Sequence, residues 1–235
     1  MRDQVPAESD ETILTEAPEA LFERNADSQR ATLQQRRLAW RLARARGWFL
    51  RRGFFATRFL FVPPHLHLAD PSVAGDFLSG QIVLSGRTLL TGGRSPFDLP
   101  APCKAFSVAL HGFEWLRHFD ASGDSEVRQG ARHIVHRWMA RREQNTWPVA
   151  EDPRAVMRRL VAWITHSALI TEQADFNEYR NLLGHLQRDA AMAKVIASHE
   201  GVGMLALEGA IALMFHALAL DRPTSALRQA EDLFE

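Results

Sequence analysis

At 235 residues, with 46% hydrophobic and 24% charged side chains, the chain can form one large or two small globular domains around a substantial core. Lys+Arg and Asp+Glu cancel at 28 each, which excludes a global field for attracting nucleic acid or anionic lipid. The single cysteine, Cys103, excludes an internal disulfide framework and a cysteine-based zinc site, and it fits a reducing compartment.

The opening MRDQVPAESDETILTEAPEALFERNAD is acidic and polar, and residues 1–28 read as a disordered or loosely attached tail. It has neither the basic start nor the apolar stretch of an export signal, which predicts a cytoplasmic protein, with a periplasmic one as the alternative. No apolar run approaches membrane-spanning length. Residues 29–62 read as a basic amphipathic helix, in which RRLAWRLARARGWFLRRGFFATRFLFVPP sets arginines among Leu38, Trp40, Leu42, Trp48, Phe49 and Leu50. Such a helix either docks on the domain, its arginines solvated or paired with the tail, or lies on a membrane surface or contacts nucleic acid. Pro63-Pro64 ends it.

GQIVLSGRTLLTGG, Gly80 to Gly93, carries the one clear β signal, a small hairpin turning at Ser85-Gly86. From Pro102 onward the pattern predicts helices near 102–120, 124–142, 152–169, 174–196, 201–220 and 223–235. Short polar links between them predict antiparallel helical hairpins. His111, Trp115 and His118 fall at i, i+4 and i+7, so one continuous helix would carry them on one face. Arg159, Trp163 and His166 repeat that spacing, and Leu207, Ile211 and Met214 form a third, apolar version.

Two readings of these stripes stay open. They are inner-helix core with satisfied histidines, or they line a groove. In a groove Arg159 would engage a carboxylate, the tryptophans (with Trp147 as a wall) would stack on sugar faces, and His166 would carry a proton. His133-x-x-His136 places two imidazoles on one helical face, but no third ligand completes a zinc site. His65-x-His67 is a weaker signal of the same kind. No Walker loop, GxGxxG or GxSxG occurs, so nucleotide and serine-hydrolase chemistry have no anchor.

The stretch RFLFVPPHLHLADPSVAGDFLSGQIVLSGRTLLTGGRSPFDLPAPCKAFSVALHGFEWLRHF resembles the amino-terminal region of bacterial heparinase II/III-like proteins of the alphaproteobacterial type. DPSVAGDFLSG, GRSPFDLPAP and LHGFEWLRHF are its specific pieces, and RRLVAWITHSALI and DFNEYRNLLGHLQRD continue the likeness in order. The resemblance implies an (α/α) toroid followed by a β-sandwich, and β-elimination on uronic-acid polysaccharides by an acid/base pair. The Asp-Gly-Gly-His segment expected of such lyases does not occur here, the neighbourhood of their Asn-His pair reads EGVGMLALEGAIAL, and Tyr179 is the single tyrosine.

The expectation is therefore an all-α fold, an incomplete (α/α) toroid over 63–235 with one small β-hairpin near residues 80–93. It would bind an acidic polysaccharide through His111, Trp115, His118, Trp147, Arg159 and Trp163, with His166 as the proton carrier, and without a metal or a cofactor. A separate carboxy-terminal β domain, or self-association, would complete it. The alternative is a non-enzymatic α-helical interaction or scaffold module, whose open edge would need a partner.

Overall fold

An aspartate and a proline start the first helix. The structure is a computed structural model that describes residues 58–65, 67–142, 144, 147–200 and 203–220, all within one compact unit. In α1 (Pro71–Ser79) the Asp70 carboxylate accepts the Ser72 N–H at 2.9 Å, and Pro71 sits where no donor is needed. Gly80 ends the helix in the left-handed region, φ 95°, and a Cβ there would fall 2.6 Å from Thr91 Oγ1. The hairpin comes next. Strand β1 (Gln81–Leu84) pairs antiparallel with β2 (Arg87–Leu90), Ile82 opposite Leu89 and Leu84 opposite Arg87. Ser85 and Gly86 have φ of 49° and 70°, and positive φ at both centres is the type I′ turn that suits a two-residue hairpin.

Seven more helices make up most of the described chain after the hairpin: α2 (Lys104–Gly112), α3 (Leu116–Asp120), α4 (Ser125–Arg142), α5 (Pro153–Thr165), α6 (Ser167–Thr171), α7 (Phe176–Glu200) and α8 (Met204–Ala219). Their starts are written in the sequence. Asp152 caps α5 through the Arg154 N–H, with Pro153 in its first turn. Asp175 and Glu178 bond each other's backbone N–H groups at 2.8 and 3.1 Å, a reciprocal cap for α7. Helix α5 packs against α2, α7 and α8, and α7 packs against α8 after a short link. The described residues are mostly helical, with one two-stranded sheet.

Two expected helices are broken. The helix expected near 102–120 divides at Phe113, whose φ is 59°. Left-handed backbone costs a non-glycine residue about 1–2 kcal/mol. Here it swings the fully buried Phe113 ring edge-on to Trp138 and Trp163, at 5.1 and 5.2 Å between centroids. Burying such a ring is worth about 1.5–3 kcal/mol, enough to offset the strain. Gly112 lets α2 approach α5, since a Cβ there would sit 3.2 Å from Arg158 Cβ. The helix expected near 152–169 also divides, at His166, whose φ is -103°.

The acidic tail, the helix expected near 223–235 and nearly all of the basic helix expected at 29–62 lie outside the described residues. The described end of that last range, residues 58–62, is not helical. Phe59 forms an antiparallel bridge with Leu220, and the Leu60 N–H donates to the Ala219 carbonyl at 2.8 Å. The Phe59 N–H donates to the Tyr179 hydroxyl at 3.1 Å, which gives the single tyrosine a structural partner.

Candidate functional site

The break at Phe113 corrects the idea of a single stripe: His111 lies in the last turn of α2, Trp115 precedes α3, and His118 lies within α3. His111 is buried, and its Nδ1 accepts the Trp138 indole N–H at 3.0 Å. Burial, then the Arg159 and Arg142 charges, push its imidazole down to about 3. Trp115 is buried against Phe77 at 4.4 Å and donates to the Leu110 carbonyl. His118 is half-buried, and its Nδ1 accepts the Asp70 N–H at 3.0 Å, tying α3 to the start of α1. Trp163 is fully buried, edge-on to Trp138. These four side chains take positions in the core or at a joint between elements.

Arg159 is also occupied. It is completely buried, and its fork holds both oxygens of Asp189, at 2.7 and 3.0 Å, while Nη1 donates to the His111 and Ala150 carbonyls. The carboxylate it engages is the protein's own. Asp189 is shared with Arg142, which also bonds Glu151, and Glu151 in turn bonds Arg188 at 2.8 Å. Burial alone would raise the Asp189 carboxyl, but the two guanidinium groups hold it well below the carboxylate range. Burial and the Arg142 charge lower Arg188 to about 10. Two acids and three arginines thus form a buried network beneath the aromatic core. Removing one member of such a network leaves an uncompensated charge.

Trp147 has a different setting. It is half-buried and stacks on the buried Trp138 ring at 6.1 Å and 16°, with the Arg141 guanidinium 5.3 Å from its centre. It lines a groove of about 190 Å³ between α4 and the loop after β2. His133, Arg137 and Arg141 enter from α4 at i, i+4 and i+8, one helical face, and Arg94 enters from the loop. Asp98 pairs with Arg141. Arg94 and Arg137 are exposed and have no acidic partner among the described residues. A half-buried indole in a groove that also holds two guanidinium groups without an acidic partner among the described residues suits a ligand with an apolar face and a carboxylate. The i, i+4, i+8 spacing of His133, Arg137 and Arg141 is the sequence signal for this rim, whereas the His133-x-x-His136 spacing pointed only to a metal.

His166 lines a second pocket, of about 210 Å³, with His65, His67, Arg117 and Glu208. Its Nδ1 lies 2.8 Å from Asp120 Oδ2, a pairing made between α3 and the α5–α6 junction. Burial alone would raise the Asp120 carboxyl, but the hydrogen bonds from His166 and Arg128 outweigh it and lower it. The stacking face of Trp147 and the proton carrier expected of His166 therefore open onto different pockets. Among the described residues no three His, Cys, Asp or Glu side chains are placed to hold a metal ion. No helix among them is long and apolar enough to cross a membrane.

The chain thus carries a helical domain with a cationic, tryptophan-floored groove and a separate histidine pocket. No family model matches it, and no solved structure matches it. It is similar to FtsZ-localized protein C of Caulobacter vibrioides (strain NA1000 / CB15N), 30% identical over 121 residues, which are 51% of this chain and 20% of that protein. The aligned part therefore spans about a fifth of that relative's length.

Proposed function

We propose that this chain is the amino-terminal helical portion of a heparinase II/III-like protein, part of an (α/α) toroid, and that it binds an acidic, uronate-type polysaccharide in the Trp147 groove. The observation that carries this reading is the half-exposed Trp147 ring edged by Arg94, Arg137 and Arg141. A pyranose face stacks on the indole while a guanidinium fork takes the uronate carboxylate. Arg159, the cation expected for that task, is replaced in it by Arg94 and Arg137. These residues bind and orient; they offer no acid/base pair for elimination, so lyase activity belongs to the complete protein.

The test is calorimetric titration of heparin-like and alginate oligosaccharides into the wild-type chain and into the Arg94→Ala/Arg137→Ala double variant. Saturable binding by the wild type, weakened at least tenfold in the double variant, supports the reading. Equal affinity in both sinks it.

A second reading, a non-enzymatic interaction module, is favoured by the similarity to a protein named for its localisation with FtsZ. The apolar residues Met204, Leu207, Ile211 and Leu218 exposed along α8 add to it. It predicts co-sedimentation of this chain with FtsZ, lost in Leu207→Asp/Ile211→Asp and unaffected by acidic oligosaccharides.

A further inference from the structure

The pocket around His166 contains polar atoms without partners among the described residues. His166 Nδ1 lies 2.8 Å from Asp120 Oδ2, which leaves Nε2 as its second polar atom, and Nε2 is buried and makes no hydrogen bond among the described residues. Glu208 Oε2 and Arg117 Nε are also buried and unpartnered, and all three residues line the same cavity. The three residues thus bring a carboxylate oxygen, a guanidinium N–H and an imidazole nitrogen to the cavity lining. Leaving such groups unsatisfied costs about 1–3 kcal/mol each, so an occupant that meets all three is favoured. His65 lies against the His166 ring at 4.9 Å, and its own Nδ1 is 3.0 Å from the His67 carbonyl, which holds the ring in place.

Two features restrict the occupant. Much of the remaining lining is apolar, with Val161, Ile211 and the half-buried Phe215 forming one side. The formal charges also cancel, because Arg117 and Arg158 face Glu114 and Glu208, and Arg158 already bonds Glu114 at 3.3 Å. The Trp147 groove, by contrast, carries Arg94, Arg137 and Arg141, of which Arg141 pairs with Asp98. An uncharged ring with an apolar face and hydroxyls at its edge fits these constraints: a hydroxyl donates to an acceptor and accepts from a donor, and the C–H face lies on Phe215.

We propose that the cavity lined by Pro64, His65 and His67, together with α5 and α8, is a binding site for a neutral pyranose sugar, its hydroxyls engaged by His166 Nε2, Glu208 and Arg117. This site stands independently of the acidic-ligand reading of the Trp147 groove.

The experiment follows the ¹⁵N shifts of the histidine rings while methyl glycosides of glucose, mannose and galactose, and separately glucuronate, are added to the full chain. The expected result is a saturable shift at His166 with at least one neutral glycoside, preserved in Arg94→Ala/Arg137→Ala and weakened at least tenfold in Glu208→Ala. A wild-type His166 signal that no neutral glycoside moves overturns the proposal, whatever the variants do. So does a response to glucuronate alone, or unchanged affinity in a folded Glu208→Ala protein.

Discussion

Arg141 and Arg142 are neighbours in the chain and serve opposite ends. Arg142 turns inward on α4 and shares Asp189 with Arg159 in a buried network, whereas Arg141 stays at the rim of a groove over the Trp147 ring. Arg158 and Arg159 repeat the contrast on α5: one bonds half-exposed Glu114, the other is sealed among carbonyls and Asp189. A helix advances about 100° per residue, so adjacent arginines face different surroundings. The identity of the side chain does not decide whether it is structural or available to a ligand; its place on the helix does.

The contrast can be broken at its buried end first. Asp189→Ala leaves Arg142 and Arg159 facing each other without a counter-charge, and the expected loss is about 3–5 kcal/mol. A urea midpoint shifted by only a few tenths of a molar would mean that the network is not what seats these cations. Trp163→Ala opens a cavity between Phe113 and Trp138 and is expected to cost a similar 3–5 kcal/mol, while the folded fraction keeps its affinity for acidic glycans. Selective loss of binding with full stability would return Trp163 to the ligand site.

The pH dependence comes next. His111 is held down to about 3 in the folded state, against about 6.5 for an unperturbed imidazole. Its contribution to stability is complete above pH 6.5. As pH falls from 6.5 to about 3 the unfolded chain takes up the proton first, so stability declines by on the order of 1.4 kcal/mol for each unit traversed. The lowered Glu151 and Asp189 carboxyls act with the same sign, and their stabilisation is lost below the ordinary carboxylate range. Denaturant titrations at pH 7 and pH 4 check this, and equal stabilities would contradict a neutral, buried His111. The smallest effect on stability is expected at the rim, where Arg94→Ala and Arg137→Ala should change it by no more than about 0.5 kcal/mol, as thermal melts of both variants would show.

Much of the architecture was legible because it is written in local chemistry. Asp152-Pro153 and Asp175 with Glu178 mark helix starts, and Ser85-Gly86 marks the hairpin turn. The break at Phe113 was not legible. A phenylalanine gives no local sign of left-handed backbone, and what stabilises it there is contact with Trp138 and Trp163 from other helices. That one break dissolves the stripe of His111, Trp115 and His118. Among the expected ligand residues, Trp147 and His166 reach pockets. The partners they meet there, Arg94 and Arg137 for one and Asp120, His65 and Glu208 for the other, come from other segments of the chain. Spacing along a single helix cannot reveal such meetings. It does carry the row His133, Arg137 and Arg141, which is legible as a cationic face and not as a set of metal ligands.

The most direct test of the central claim is the affinity of an alginate or heparin-like oligosaccharide for Arg137→Ala and Trp147→Ala proteins, each checked for an unchanged thermal midpoint. Binding that falls at least tenfold in both, with the fold intact, is the predicted result. Undiminished binding would contradict the account and remove the acidic glycan from the Trp147 groove.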